Sequence, residues 1–287
     1  MKDSRNGWIA GLAFIVLLIA VPVWYFTRPA ESAAGQVPDS PWDHVPRRAE
    51  PVDHSSLFEQ PFATGQEVTQ ACLECHPQAA EQVIHTAHWR WQADPVAMEG
   101  RDELVAVGKK NAINNFCIGI QGNWSSCTSC HAGYGWEDAD FDFENTANVD
   151  CLVCHDQSGA YRKGKAGLPA EGVDLLGAAR SVGLPTREIC GGCHFRGGGG
   201  DAVKHGDLDE SLYYPDEALD VHMGRYDFEC IDCHRTRDHV IGGRAITVSV
   251  DNANQIACTD CHSQRLHADA RINAHTDTVA CQTCHIP

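Results

Sequence analysis

The sequence has little of what an ordinary globular core is made from. Long stretches show no periodic apolar pattern, and one short run, AITVSV at residues 245–250, is typical of a β-strand. The 26 glycines and 13 prolines favour loops over long helices. We therefore predict a mainly α fold with long loops and very little sheet.

Positive charge is also scarce. The chain has 22 basic and 39 acidic residues, a formal net charge of −17, which argues against a nucleic-acid partner. The glycine-rich run FRGGGGD at 195–201 lacks the G-K-[ST] of a phosphate loop. An acidic surface suits a basic redox partner, but it also keeps an exported protein soluble, so both explanations remain open.

Cysteine, in contrast, is abundant and regularly placed. Of the 15 cysteines, 14 fall in seven C-x-x-C-H motifs, and Cys117 alone lies outside them. The paired cysteines are Cys72 and Cys75, Cys127 and Cys130, Cys151 and Cys154, Cys190 and Cys193, Cys230 and Cys233, Cys258 and Cys261, and Cys281 and Cys284. The histidines that follow them are His76, His131, His155, His194, His234, His262 and His285.

This spacing is typical of covalently attached haem. Two cysteines three positions apart can form thioether bonds to both vinyl groups, and the next residue can ligate the iron as proximal ligand. Zinc sites do not need a histidine after every second cysteine, and seven pairs do not divide into four-ligand sites. A disulfide framework gives no reason for the histidines either. We predict seven attached haems c, with the haem array itself forming the core of the protein.

The long apolar run of the sequence lies at its N-terminus. Residues 8–26 are 19 uncharged residues, preceded by Lys2 and Arg5, which is the length and charge pattern of a membrane anchor. Haem is attached to c-type cytochromes after export, so we expect a periplasmic protein held at the inner membrane by this helix. The small residues Ser32, Ala33 and Ala34 would also suit signal-peptidase cleavage.

The chain divides into three parts on composition. We assign an anchor or signal segment to 1–27, a periplasmic linker to 28–65, and a multihaem cytochrome c domain to 66–287. The motif spacing is irregular, which argues against a simple tandem repeat. Because the sequence stops two residues after the last motif histidine, we expect the domain to be incomplete at its C-terminus.

Nine histidines lie outside the motifs, and an electron-carrying haem needs a second axial ligand. His44 and His54 fall in the predicted linker and are expected to be exposed to solvent. The remaining seven are candidates for distal iron ligands: His85, His88, His205, His222, His239, His267 and His275.

Longer stretches resemble the octahaem tetrathionate reductase family of multihaem cytochromes c, which is related to hydroxylamine oxidoreductase. They are GKKNAINNFCI at 108–118, CTSCHAGYGW at 127–136, NVDCLVCH at 148–155, VKHGDLDESL at 203–212 and VACQTCHIP at 279–287. The resemblance covers roughly residues 66–287 and implies eight haems in a complete protein. It also implies that the second haem, held by Cys127 and Cys130 with His131 proximal, is catalytic and has lysine as its sixth ligand.

In this family the lysine follows the third motif, in a segment like AYRKGKAG at 160–167. The resemblance therefore indicates Lys163, with Lys165 as a rival. Lysine binds iron only as a neutral amine, and burial lowers its pKa in that direction. Seven distal histidines and one lysine would serve eight irons. A solvated loop lysine remains the alternative interpretation of Lys163.

Two further features bear on the second haem. Cys117 is either a reactive thiol that could meet a sulfur substrate or an inert buried residue. Lys109, Lys110 and Arg162 could add positive potential that favours an oxyanion, although loop cations are often simply solvated.

The sequence thus predicts a periplasmic multihaem reductase. A quinol-linked or soluble periplasmic donor would supply electrons, and the second haem would reduce a small sulfur or nitrogen oxyanion, with tetrathionate, nitrite and hydroxylamine as the substrates that the resemblance suggests. The alternative is a membrane-anchored electron conduit, like the small quinol dehydrogenases, with no catalytic haem. A hydroxylamine-oxidising enzyme would also need a cross-linked tyrosine from the family's C-terminal part.

Overall fold

The computed structural model describes residues 16–21, 23–24, 40–112, 119–196, 201, 208–244 and 254–285. These residues form two compact units. The larger unit holds the described residues of Ser40–Ala257, and the smaller unit holds those before Ser40 together with Cys258–His285. The haem region predicted as one domain is therefore divided after Ala257.

Short helices make up most of the regular structure. In the larger unit they are α1 (Gly65–Cys75), α2 (Ala79–Val83), α3 (Ala87–Arg90), α4 (Trp124–Cys127), α5 (Leu152–His155), α6 (Leu175–Arg180), α7 (Arg187–His194), α8 (Val221–Tyr226) and α9 (Cys230–Cys233). Helices α10 (Ala270–His275) and α11 (Gln282–His285) belong to the smaller unit. Single turns of 3-10 helix lie at Pro41–His44, Ile120–Gly122, Thr128–Cys130, Thr146–Asn148, Lys165–Gly167, Glu210–Tyr213 and Cys258–Asp260.

One small hairpin provides the sheet structure of the described residues. Strands β1 (Thr236–Arg237) and β2 (Val240–Ile241) pair antiparallel, with Thr236 opposite Ile241. The two residues between them, Asp238 and His239, both have positive φ (49° and 64°), as a tight hairpin turn requires. The prediction of a mainly α fold with very little sheet is confirmed, while the strand-like run at 245–250 lies outside the described residues.

Capping side chains fix the helices that carry the first and fifth motifs. At α1 the Thr64 hydroxyl accepts from the Glu67 N–H over 3.2 Å, and the Glu67 carboxylate accepts from the Ala63 N–H over 2.7 Å. At α9, Glu229 and Asp232 form a reciprocal capping box. Such caps satisfy the otherwise unpaired N–H groups of a helix start, which lets helices this short hold their position.

The apolar core consists of small separate clusters. One joins α1, α5 and α6 through Val68, Leu152, Leu175 and Ala179, with Tyr161 packed among them. A second contains Ala80, Ile84, Trp89 and Val149. A third is built around Trp91, Ile120 and Trp136. Each cluster lies beside a C-x-x-C-H motif, so the packing serves to hold the motifs.

The described residues of the predicted linker, from residue 40 onward, pack against the haem region. Trp42 packs on Phe228 with ring centroids 4.4 Å apart. Arg48 donates to the buried carboxylate of Asp232 over 2.7 Å. Aromatic packing and a partly buried ion pair hold this stretch, which we call the N-terminal arm (residues 40–62), against the haem region.

The predicted membrane anchor falls mainly outside the described residues. Of the apolar run at 8–26, residues 16–21 and 23–24 are described, and they are helical. No helix among the described residues has the length and apolar character needed to cross a bilayer.

Candidate haem sites and the second motif

Each motif is folded into a turn of helix. In the first, third, fifth, sixth and seventh motifs the histidine N–H donates to the carbonyl of the first cysteine, over 2.8–3.2 Å. This turn places the first cysteine, the second cysteine and the histidine on one face, because residues three and four apart are neighbours on a helix. No disulfide links the 14 motif cysteines. The donor set therefore fits two thioether bonds and an axial ligand.

Two motif histidines have their ring orientation fixed by the backbone. Nδ1 of His155 donates to the Gly183 carbonyl over 2.8 Å, and Nδ1 of His234 donates to the Gly242 carbonyl over 2.7 Å. A hydrogen bond at one ring nitrogen fixes the tautomer and leaves the other nitrogen as a metal ligand. Both rings are thus prepared to bind iron through Nε2.

Three motif histidines face a second imidazole at a spacing that suits one iron between them. The ring centroids are 6.3 Å apart for His54 and His76, and 6.0 Å apart both for His88 with His194 and for His267 with His285. A metal–imidazole bond is about 2 Å long. The ring centre lies about 1 Å beyond the nitrogen, so two axial imidazoles have centroids about 6 Å apart. The pairs therefore fit bis-histidine haems at the first, fourth and seventh motifs.

His54 corrects the expectation that it is an exposed linker residue. It is half-buried in the N-terminal arm, and its Nδ1 donates to the Val52 carbonyl over 2.7 Å. No local pattern indicates this burial, because the arm is held by residues near position 230. His44 is exposed, as predicted, and its carbonyl accepts from Arg235 over 2.6 Å.

His239 lies at the hairpin turn beside two motif histidines. Its Nδ1 is 2.8 Å from the Gln82 side-chain oxygen. Burial lowers its pKa, and the nearby imidazoles of His155 and His76 contribute. A positive φ at a residue other than glycine costs energy and is often kept for a functional reason. His239 is thus a candidate partner for the third motif.

The other candidate ligands have varied surroundings. His88 is crowded by protein, which lowers its pKa to about 4, and His194 and His234 contribute to the effect. His85 is exposed and contacts Glu81 and Arg90. His222 is half-buried on α8, and His275 is exposed at the end of α10. Both His205 and Cys117 lie outside the described residues.

The second motif differs from the other six at its histidine. His131 is fully buried, whereas the remaining motif histidines are exposed or half-buried. Five aromatic rings surround its imidazole with centroids 4.8–6.3 Å away: Trp89, Trp91, Trp136, Phe141 and Phe143. No histidine among the described residues packs on it in this way. We call this group the aromatic cage.

The nitrogen that normally binds iron is engaged elsewhere in His131. Its Nε2 donates to the backbone carbonyl of Trp89 over 2.7 Å, and its Nδ1 is buried without a hydrogen-bond partner. Burial lowers the pKa of His131 to about 3, with Lys163 and Lys109 contributing, so the ring is neutral. The role of His131 as proximal ligand stays a prediction, and in this structure its ring packs within the aromatic cage.

Lys163 lies against the backbone of the second motif. Its Nζ donates to the His131 carbonyl over 2.6 Å and to the Gly133 carbonyl over 3.1 Å. It also donates to Asp150 over 2.7 Å, and its side chain is only 6% exposed. Lys165, the rival from the sequence, is exposed. A buried lysine therefore lies next to the one motif whose histidine is engaged elsewhere.

The loop that carries Lys163 is closed tightly onto this motif. Lys163 and Pro169 pair through an isolated antiparallel β-bridge. The carbonyl of Ala166 accepts from the N–H groups of Gly135 and Trp136, over 2.8 and 3.1 Å. Gly167 has φ of +72°, and a Cβ there would lie 2.3 Å from the Gly133 carbonyl oxygen. Glycine is required at this position because the two backbones touch.

Two further lysines lie near the aromatic cage. Nζ of Lys109 is 4.1 Å from the Trp91 ring centroid, and Nζ of Lys110 is 3.9 Å from that of Phe143. Burial lowers the pKa of Lys110, and Arg90 adds to the effect. Arg162 is exposed, and its guanidinium donates to the Tyr161 carbonyl. Lys109 and Lys110 therefore bring positive charge to the second motif, as cation–π contacts allow.

Cysteines of different motifs meet in pairs. Thiols of different motifs lie close enough to shift one another's pKa, in the pairs Cys72 with Cys151, Cys130 with Cys193, Cys190 with Cys230, and Cys258 with Cys281. Haems attached through these adjacent cysteines would therefore lie next to each other. The contacts link the first motif with the third, the second with the fourth, the fourth with the fifth, and the sixth with the seventh.

Sequence reasoning missed the aromatic cage and Asp150. The cage residues follow shortly after a candidate histidine, in WRW at 89–91, and after the second motif, in GYGW and DFDF. Asp150 directly precedes Cys151. The clustering of aromatic residues around one motif was a usable signal, but nothing local to the sequence indicates that they surround His131.

Comparisons with known proteins agree with the motifs. No family model matches the chain. A crystal structure of octaheme cytochrome c from Shewanella oneidensis is similar in fold, with a TM-score of 0.73 and 47% sequence identity over 83% of this chain. That alignment covers 53% of the solved chain, so this sequence spans about half of its length. A protein of Archaeoglobus fulgidus described as uncharacterized is 26% identical, over 68% of this chain and 82% of that protein.

The predicted resemblance to octahaem cytochromes is thereby confirmed, as is the predicted multihaem cytochrome c fold. Haem c as cofactor follows from the similarity together with the seven motifs. The chain has a multihaem cytochrome c fold with seven haem-attachment motifs, and it is similar in fold to an octahaem cytochrome c.

Proposed function

We propose that this chain is part of an extracytoplasmic reductase in which the second haem, attached through Cys127 and Cys130, is catalytic and is ligated by Lys163. The proposal is carried by the surroundings of His131 and Lys163 at this motif. His131 is buried in the aromatic cage with Nε2 hydrogen-bonded, and a buried lysine lies against the same backbone. Lys163 would be the protein ligand that sets this haem apart from the bis-histidine haems.

A haem with one displaceable or missing axial ligand can bind a substrate and pass electrons to it. The chain's part would be to supply Lys163 as a ligand to this haem. Lysine ligates iron only as a neutral amine, so ligation would require Lys163 to give up its ion pair with Asp150. Bis-histidine pairing at the first, fourth and seventh motifs leaves those haems to electron transfer.

The local charge favours a small anion as substrate. The chain as a whole carries −17, yet Lys109 and Lys110 both lie at the second motif. Cationic groups in a partly desolvated site attract anions more strongly than the same groups in water. We propose a sulfur or nitrogen oxyanion such as tetrathionate or nitrite, or the related small molecule hydroxylamine. Cys117 remains a candidate contact for a sulfur substrate.

The paired cysteines support a route for electrons. The second motif touches the fourth through Cys130 and Cys193, and the fourth touches the fifth through Cys190 and Cys230. We propose that electrons reach the second haem through the fourth, which acts as a junction. The donor would be a quinol-linked or soluble periplasmic protein, and the N-terminal apolar run at 8–26 would hold the protein at the inner membrane.

An electron conduit without a catalytic haem is the second candidate. It is favoured by the three histidine pairs, which are typical of haems that only carry electrons. The two functions differ in one property: the conduit has no iron with an exchangeable ligand.

The test is a comparison of ligand spectra in the haem-loaded protein and in Lys163→Ala. Near-infrared magnetic circular dichroism and electron paramagnetic resonance should show one haem with amine ligation, and that signal should vanish in the variant. Lys165→Ala is the matched control, because Lys165 is exposed two residues away. A parent spectrum containing only bis-histidine haems, unchanged by Lys163→Ala, would contradict the proposal and support the conduit.

A further inference from the structure

Asn273 is a buried amide of the smaller unit that holds the backbone of His267. It is 7% exposed, although the other residues of α10 are exposed. Its Oδ1 accepts from the His267 N–H over 2.9 Å, and its Nδ2 donates to the His267 carbonyl over 2.6 Å. An asparagine amide carries both an acceptor and a donor. Here both ends are used on a single residue.

These two hydrogen bonds fix the direction of the His267 side chain. The N–H and the carbonyl of a residue lie on either side of its Cα, so holding both restricts its two backbone dihedrals. The side chain leaves from the same Cα. The ring centroid of His267 lies 6.0 Å from that of His285, the histidine of the seventh motif. The backbone contacts therefore aim the imidazole at the position of the seventh haem.

Nδ1 of His267 does not supply this orientation. It is buried without a hydrogen-bond partner among the described residues. In contrast, Nδ1 of His54, which pairs with His76 at the first motif, donates to the Val52 carbonyl over 2.7 Å. A hydrogen bond at the second ring nitrogen is the usual way in which a metal-binding histidine is oriented. At the seventh motif the backbone of the histidine is held instead.

We propose that Asn273 is the positioning residue for His267, setting its ring where it can be the second axial ligand of the seventh haem. This inference rests on the bis-histidine pairing in the proposed function and does not depend on a catalytic haem. The position of Asn273 is itself fixed, because its carbonyl accepts from the Thr276 hydroxyl over 2.7 Å and from Arg265 over 3.2 Å.

The competing explanation is a buried amide that serves the fold of the loop alone. Asp269 provides the matched control, because its carboxylate caps the same helix and accepts from the Arg271 N–H over 2.7 Å. Removing such a cap loosens a helix. Asp269→Ala should therefore loosen α10 while it leaves both contacts between Asn273 and His267 in place. An amide with a purely structural role should give the same result as this control when replaced.

The experiment titrates cyanide into the haem-loaded full chain, followed by absorption spectroscopy, with the haem content of each protein measured. Cyanide competes with the second axial ligand, so a poorly held His267 raises the apparent cyanide affinity of its haem. Removing a partner behind a metal ligand typically costs about 10- to 100-fold in affinity. We expect Asn273→Ala to raise the cyanide affinity of one haem by about tenfold. Asn273→Asp keeps the size and one acceptor oxygen and should give a smaller increase, and Asp269→Ala should match the parent.

The outcomes separate positioning from pairing, and His267→Ala identifies the haem because it removes the ligand itself. If His267→Ala opens a haem to cyanide while both Asn273 variants match the parent, Asn273 does not position the histidine, although the pairing stands. If Asp269→Ala raises the affinity as much as Asn273→Ala does, the effect belongs to the loop and the inference is overturned. If His267→Ala opens no haem, the pairing with His285 fails and this inference fails with it, while the amine signal of the second haem is a separate result. Should Asn273→Ala not assemble, Asn273→Asp decides by the same comparison.

Discussion

Substituting alanine for Gly167 tests how closely the Lys163 loop must approach the second motif. Gly167 has φ of +72°, and an added Cβ would lie 2.3 Å from the Gly133 carbonyl oxygen and 3.4 Å from the Lys163 amine. The nearest atom belongs to the backbone, so the contact cannot be relieved by turning a side chain. The Gly133 carbonyl that would have to move is also one of the acceptors of Lys163.

The expected cost has two parts. A left-handed backbone at a residue other than glycine costs roughly 1–2 kcal/mol. Overpacking typically adds about 1–3 kcal/mol, so Gly167→Ala should lower the free energy of unfolding by about 2–5 kcal/mol. Gly172 is the matched control, because its φ is +82° and a Cβ there would meet nothing within 4 Å. Gly172→Ala should show only the first part.

The assay is urea denaturation of haem-loaded protein, followed by far-ultraviolet circular dichroism, with the ligand spectrum recorded before unfolding. We expect Gly167→Ala to lose more stability than Gly172→Ala and also to weaken the amine-ligated signal. Equal losses in the two variants would refute the close approach of the two backbones. An unchanged ligand signal in a destabilised Gly167→Ala protein would show that the Gly133 carbonyl does not help to hold the lysine.

Two further predictions concern the ligands and the charge. His54→Ala should convert one bis-histidine haem into a haem that binds added cyanide, which absorption spectroscopy would detect. His44→Ala is the control and should create no such haem. A His54→Ala protein with no new cyanide-binding haem would rule out the pairing with His76. The lowered pKa of Lys110 means that this residue loses its charge at a lower pH than an ordinary lysine, so anion affinity should fall early as pH rises. Nitrite affinity measured against pH should show this step in the parent protein but not in Lys110→Gln, and its persistence in the variant would assign it to another group.

The sequence was sufficient for the parts of the molecule that depend on local spacing. C-x-x-C-H is a short pattern, and each copy folds into its helical turn without distant help, so the attachment residues could be named in advance. The scarcity of strand patterns likewise predicted how little sheet the described residues contain. These are the features that a single turn of backbone determines.

What could not be predicted depends on residues far apart in the chain. His54 becomes a partner for His76 because the N-terminal arm is held by Asp232, which no local pattern reveals. The hydrogen bond at Nε2 of His131 is made to the carbonyl of Trp89, which is 42 positions away in the sequence. A motif that is perfect in sequence can therefore have its histidine engaged elsewhere by tertiary packing.

The contacts of the N-terminal arm also imply the order in which parts of the protein fold. Arg48 is separated from its partner Asp232 by 184 residues, and Trp42 from Phe228 by a similar stretch of chain. Contacts this distant in sequence form late, because much of the chain must be made and brought together first. The haem attached nearest the start of the protein would therefore receive its second ligand only after the fifth motif has been synthesised and folded. Until then the first motif would lack the pairing of His54 with His76.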